Sequence, residues 1–139
     1  MNQTNQQLEN VLKQNNYYVT RPRKRLLEAL SDAPSPLSVK EIAEKTDGQV
    51  SRASIYRTLQ TLIKLNIIKR ITIAFSDKYE LSDRFKLHHH YLSCEKCGRT
   101  IPIKLGDKME NAIQSFGSKN GFKIKSHEVE LRGLCRYCR

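Results

Sequence analysis

Residues 51–81 read SRASIYRTLQTLIKLNIIKRITIAFSDKYEL, and two different periodicities meet inside them. In the first half Ile55, Leu59, Leu62 and Ile63 recur at i, i+4, i+7 and i+8, the spacing of one buried helical stripe. Ser51 stands where its hydroxyl can cap that helix. In the second half IIKRITIAF (67–75) and KYEL (78–81) are rich in β-branched and aromatic residues. They predict a hairpin that turns at the polar pair Ser76-Asp77.

The residues upstream supply further helices. Leu8, Val11 and Leu12 fall on one face of a helix over 5–15. Thr20 can cap a second helix that tolerates Pro22 in its first turn and buries Leu26, Leu27 and Leu30. The prolines in 31–37 mark a loop. Ser38-Val-Lys-Glu41 is a capping box, in which hydroxyl and carboxylate each satisfy a free amide, and it opens a helix to about Lys45. Helices in this order with a hairpin behind them predict a winged helix-turn-helix over residues 1–82, with 51–64 as the helix offered to the major groove of DNA.

The free face of that helix carries suitable chemistry. Arg57 can pair bidentately with guanine or hold a phosphate, Tyr56 can pack on a thymine methyl, and Gln60 can address adenine. Arg21, Arg23, Lys24, Arg52 and Lys64 are candidates for phosphate contact, and Ser51 lies at the helix start beside them. Lys and Arg number 25 against 14 Asp and Glu, a formal charge of +11. The excess is 14 basic against 9 acidic residues up to position 85 and 11 against 5 beyond it, so no tail carries it. A charge spread in this way favours a polyanionic partner, nucleic acid before membrane, because no basic amphipathic stretch bearing Trp or Phe is present. With neither a leader-like start nor about 18 apolar residues in a row, the chain is expected to be cytoplasmic.

All four cysteines lie in the second half, as Cys94-x-x-Cys97 and Cys135-x-x-Cys138. Two such pairs offer the tetrahedral sulfur set that zinc prefers, and four thiolates leave no position open for a reacting water. The site is therefore expected to be structural. The 37 residues between the pairs exceed ordinary ribbon spacing, so intervening elements must bring the second pair back to the first. The pattern predicts strands at HHHYLSC (88–94) and RTIPI (99–103), a helix near 105–117, and strands in GFKIK (121–125) and HEVELRGLC (127–135). Residues 82–86 form a linker, and the whole chain is α+β.

His88, His89 and His90 precede the first cysteine pair. In a strand His88 and His90 share a face while His89 points the other way. They can chelate one ion, with Glu110 and His127 as further available ligands. A zinc hydrolase using that site would need a pocket and a spare base, and no HExxH-like signature is present. The chain is accordingly expected not to be an enzyme. A zinc-stapled adaptor that binds protein is the other alternative.

SRASIYRTL, YEL, the His run followed by CEKCG, HEVELRGLC and the final Cys-x-x-Cys together resemble the ferric uptake regulator family, from about Val19 to Cys138. The resemblance implies a homodimeric, metal-activated repressor of iron- or zinc-uptake type that binds a palindromic operator in double-stranded DNA. It implies a winged-helix domain (1–82), a hinge (83–87) and a small α/β dimerisation and metal-binding domain (88–139). Structural zinc at Cys94, Cys97, Cys135 and Cys138 and regulatory zinc or iron at His88, His90, Glu110 and His127 follow from it. The family's second site, at the domain junction, is degraded by comparison, with Glu80, Asp83 and His89 as remnants and Pro36 and Tyr91 where ligands would stand. That departure argues against the family's peroxide-sensing branch.

Overall fold

A computed structural model describes residues 3–139 and divides the chain into two units, Met1–Leu87 and His88–Arg139. In the first unit α1 (Gln3–Gln14), α2 (Arg21–Asp32), α3 (Val39–Lys45) and α4 (Arg52–Lys64) precede an antiparallel hairpin of β1 (Ile68–Ile73) and β2 (Ser76–Leu81). This is the expected winged helix. Leu8 and Leu12, Leu26 and Leu27, Ile42, and Ile55, Leu59 and Leu62 form one core from the four helices, completed by Ile67, Ile68 and Leu81. No described helix is long and apolar enough to cross a membrane.

The helix ends explain how the core elements are aimed. Thr20 Oγ1 accepts the Arg23 N–H at 3.4 Å, and Ser51 Oγ accepts the Ser54 N–H at 3.2 Å. Asn66 takes φ 54° at the end of α4, where the Ile67 N–H reaches back to Leu62 O at 2.9 Å. That backbone cap sets the angle at which the chain leaves α4 for β1.

Two expectations for this unit need correction. Ile63 is 39 % exposed and Thr58 takes its place in the buried face, because the stripe of α4 turns toward α2 and α3 along Ile55, Thr58, Leu59 and Leu62. The hairpin turns at Ala74-Phe75, not at Ser76-Asp77: Ile73 pairs with Ser76 and Thr72 with Asp77, whose side chains hydrogen-bond at 3.2 Å. Ala74 and Phe75 both have positive φ, 51° and 63°. Two such residues make the tight turn that matches strand twist, but for non-glycine types the conformation costs roughly 1–2 kcal/mol each. Turn propensity pointed to the polar residues, and register overrode it.

Beyond β2, Ser82 Oγ donates to Asn66 O at 2.7 Å, and Phe85 packs on the core of the first unit. The second unit holds β3 (His90–Cys94), β4 (Thr100–Ile103), α5 (Asp107–Lys119) and β5 (Glu130–Gly133). The sheet order is β4-β3-β5, with β3 antiparallel to β4 and parallel to β5. GFKIK forms no strand. Instead it wraps the end of α5: Gly121 at φ 75° lets the Phe122 N–H return to Gly117 O at 2.8 Å, and Ile124 lies over Gly117 where a Cβ would meet it at 2.4 Å. Among the described residues of this unit, the buried hydrophobic side chains are Tyr91 and Cys94. Its core is very small.

The capping box of α3 is fully formed, with Glu41 N–H to Ser38 Oγ at 3.2 Å and Ser38 N–H to Glu41 Oε2 at 2.6 Å. Burial raises the Glu41 pKa, but the Ser38 amide and Lys78 at 3.4 Å outweigh it and hold the carboxyl below its ordinary 4.5. A depressed folded pKa contributes stability above the unfolded value, which is lost as pH falls through the folded value. Ser38→Ala should cost about 1 kcal/mol in urea unfolding near neutral pH. Glu41→Gln should lower stability at neutral pH and narrow its gap to the parent protein as pH drops below about 4.

Candidate metal centres and nucleic-acid interface

The parallel pairing of β3 with β5 places two side-chain clusters at opposite ends of one strand pair. The register joins Tyr91 to Glu130 and Cys94 to Gly133, so the strands start together and end together. At their ends, Cys94 closes β3, Cys97 sits in the turn after it, and the second pair lies just beyond β5. Gly98 at φ 75° closes the first turn, with its N–H on Cys94 O at 2.9 Å, and the Cys138 N–H closes the second on Cys135 O at 2.9 Å. All four sulfurs lie within 4.8 Å of one another and all are thiols rather than disulfides.

The electrostatics of this cluster suit a cation. Backbone amides of Cys97 and Cys135 hold the Cys94 thiol down to about 6. The hydrogen bond that the Cys138 thiol donates to Cys135, then burial, pushes Cys138 up to about 12. One sulfur gains charge easily and the next resists it, because four thiolates in one place repel unless a positive ion lies among them. The donor set is the one zinc takes in closed structural sites.

At the beginning of the same strands, His88, His90 and His127 meet Glu110 from the first turn of α5. Their ligand atoms also lie within 4.8 Å of one another. His88 Nε2 is 3.1 Å from His90 Nε2 and 3.0 Å from His127 Nε2. Glu110 Oε1 is 2.7 Å from His90 Nε2, and Oε2 is 2.6 Å from His127 Nε2. Burial raises the Glu110 pKa, but hydrogen bonds from His90 and His127 outweigh it, and the carboxyl is held below its ordinary value. The Val129 N–H donates to His90 Nδ1 at 3.2 Å, which leaves the proton of the neutral ring on Nε2. Ligation through Nε2 would need the other neutral tautomer, with the proton on Nδ1, and the contact with the Val129 N–H would then have to open. Three imidazole nitrogens and a carboxylate suit zinc or ferrous iron alike.

His89 points away from this cluster and pairs with the Tyr91 hydroxyl. Glu80 and Asp83 are engaged within the first unit. Glu80, only 2 % exposed, lies 3.6 Å from Lys69 and 3.4 Å from Lys86, and Asp83 lies 2.9 Å from Lys69. Two ammonium groups thus occupy the surroundings of the acids that the sequence marks as remnants of a cation site. Lysine pairing was not read from the sequence, although Lys69 faces Glu80 directly across the hairpin.

On the first unit Arg23, Arg57, Gln60 and Lys64 line a polar cleft of about 620 Å³ between the start of α2 and α4. Thr20, Ser54 and Thr61 add hydroxyls to it, and spacing four residues along the helix from Arg57 could have flagged Thr61. The guanidinium of Arg23 is fixed by Tyr18 O at 2.8 Å and by the Tyr17 ring at 5.3 Å. Arg21, Ser51, Arg52 and Tyr56 are exposed outside that lining, and Lys24 reaches Glu9 at 3.9 Å. A concave, cationic, hydroxyl-rich surface beside an exposed helix suits a phosphate backbone.

A sequence model described as the ferric uptake regulator family matches residues 14–132. The chain belongs to the ferric uptake regulator family. It is 31% identical over 117 residues to the ferric uptake regulation protein of Bacillus subtilis, covering 81% of this chain and 76% of that one. It is 30% identical over 116 residues to the zinc uptake regulation protein of Mycobacterium tuberculosis, covering 82% and 86%. The solved ferric uptake regulator of Helicobacter pylori superposes with a TM-score of 0.79 at 26% identity, over 97% of this chain and 91% of that one. The protein is thus a metal-responsive transcriptional regulator and not an enzyme. Hydrolase and adaptor alternatives fall away.

Lys69→Met removes one of the two cations beside buried Glu80. It should lower stability by about 2 kcal/mol, read as a lower urea midpoint with an unchanged slope.

Proposed function

We propose that this family member represses transcription as a homodimer on a palindromic operator, with His88, His90, Glu110 and His127 as its metal gate and the four cysteines as a structural zinc staple. The observation that carries the proposal is the convergence of three imidazoles and one carboxylate at the start of the second unit, directly after the winged helix in the chain. A bound divalent ion, zinc or ferrous iron, supplies there the positive charge that replaces shared protons and ties α5 to the beginnings of β3 and β5.

His88 is the first residue of the second unit, so holding it fixes the direction in which residues 83–87, the proposed hinge, join that unit. Two α4 helices in a dimer then keep the separation that half-sites on one operator demand. Metal and DNA favour the same arrangement, and each tightens the other. A second copy is the occupant that suits the exposed sheet face. Leu92 pairs with Ile101 on one side and Leu131 on the other, all exposed, and with Leu134 they line an apolar groove of about 210 Å³. A unit with so small an interior gains most of its burial by association.

Because lysines already neutralise Glu80 and Asp83, the proposed stoichiometry is one ion per cluster. Elemental analysis of loaded protein should therefore find two metal ions per chain. Cys97→Ser should unfold or monomerise the second unit, whereas His127→Ala should leave a folded dimer with a weakened metal response in DNA binding. Equal unfolding in both would contradict the division into staple and gate.

DNA selected from a random library at fixed salt, by protein that keeps its structural zinc, should yield an inverted repeat only when zinc or ferrous iron is added. The same repeat without added metal, or none at all, would remove the gate. On the recovered duplex, Arg57→Ala should cost about 1–3 kcal/mol of specific binding by fluorescence anisotropy.

A further inference from the structure

Gly117 lies in the last turn of α5, and its backbone is helical, unlike the four glycines at positive φ. The helix therefore has no conformational need of a glycine there, and glycine is a poorer helix former than alanine. What needs it is the chain that comes back over it. A Cβ at 117 would meet Ile124 Cγ1 at 2.4 Å, Ile124 Cδ1 at 2.8 Å and the Phe122 carbonyl oxygen at 3.1 Å. Close approach is the reason for glycine at this position.

The segment seated on Gly117, Phe122 to Ser126, leads straight to His127. Among the described residues, no hydrogen bond holds it between the Phe122 N–H and His127, so Ile124 is its anchor. Two contacts then tie the returning chain to α5: Ile124 on Gly117, and His127 Nε2 on Glu110 Oε2 at 2.6 Å. Gly117 and Glu110 are seven residues apart, which puts them on one face of the helix and about 10.5 Å apart along it. From Ile124 to His127 the chain covers at most about 10–11 Å. The two lengths agree. A shift of one residue would carry His127 about 3.5 Å along α5, further than its 2.6 Å contact with Glu110 spans.

The register of β3 with β5 sets His127 against His88 and His90, but Glu110 arrives from α5, which packs only lightly on the strands. We infer that Gly117 and Ile124 are positioning residues for the gate: their contact sets the register between α5 and the segment behind it, and so brings the Glu110 carboxylate to the His127 imidazole. The inference rests on the gate reading above and assigns part of the gate's affinity to a contact that no ligand makes.

The test uses the full chain with zinc kept in the cysteine cluster and Co(II) as the probe, followed by the visible absorption of the ion. Gly117→Ala should weaken Co(II) binding about 10–100-fold and alter its absorption bands. Its Tm before Co(II) is added should not fall, because alanine favours the helix. Ile124→Ala should weaken binding to the same degree, and the double variant no further, because both changes open one contact. Ile124→Val, which keeps Cγ1, should lie closer to the parent than Ile124→Ala does. Unchanged affinity and bands in Gly117→Ala overturn the inference. So do losses that add in the double variant, or an affinity loss matched by a fall in Tm, since the pair would then serve the fold alone. His127→Ala separates the two levels. If it abolishes Co(II) binding while Gly117→Ala does not weaken it, the register contact alone fails; if the parent protein takes up no Co(II) beside its zinc, the gate reading fails and the inference with it.

Discussion

The parallel pairing of β3 with β5 is the constraint on which the second unit depends. Parallel strands need a crossover, and here β4 and α5 provide it, returning the chain so that the two strands share both a beginning and an end. An offset of 39 residues pairs Tyr91 with Glu130, and the same offset sets His88 against His127. At the other end it sets Cys94 against Gly133, two residues short of Cys135. A slip of one residue between β3 and β5 would part His90 and Cys94 from the partners that precede and follow β5. The strand register therefore specifies both clusters at once, about 13 Å apart along β3.

The two units solve their stability problems differently. The first buries leucine and isoleucine from four helices and two strands, which is enough to fold around. The second leaves Leu92, Ile101, Met109, Phe116, Phe122, Leu131 and Leu134 exposed, and Tyr91 and Cys94 are the hydrophobic side chains it buries among the described residues. Its polar contacts cannot replace a core, since even a hydrogen bond to a carboxylate, such as Ser93 Oγ–H to Glu130 at 2.5 Å, contributes only about 1.5–3 kcal/mol net. A cross-link at the thiol cluster and a covering copy on the sheet would supply the stability that so small a core does not.

Local signals made much of this legible. The caps at Thr20, Ser38 and Ser51 act within four residues, so side-chain chemistry and spacing were sufficient to find them. The cysteine and histidine clusters were legible because few other residue types can do their work. What escaped was set by tertiary partners. Period alone places Ile63 in the buried stripe, but which flank of an amphipathic helix is covered depends on where α2 and α3 lie. GFKIK has strand composition, yet the glycine at 121 caps α5 and sends Ile124 onto Gly117. The wing turn went wrong because strand register can force a strained pair, and no local rule predicts strain. The lysines around Glu80 were hidden for a related reason, since a cross-hairpin pair becomes visible only when the register is known.

Staple and gate are consequently unequal partners. If the cysteines close the ends of β3 and β5, the beginnings of those strands are held in register as well, and His88, His90 and His127 meet Glu110 without further ordering. Preorganisation of this kind lowers the entropy lost when a ligand binds. Loss of the staple should loosen the gate, because the imidazoles then depend on a strand pair with little burial to hold it. Loss of one gate ligand should not loosen the staple, which draws its four donors from two tight turns at the far end of the sheet. On the proposed roles, a sensor arranged in this order keeps its fold when regulatory metal is scarce, which is the condition under which it must remain intact to respond.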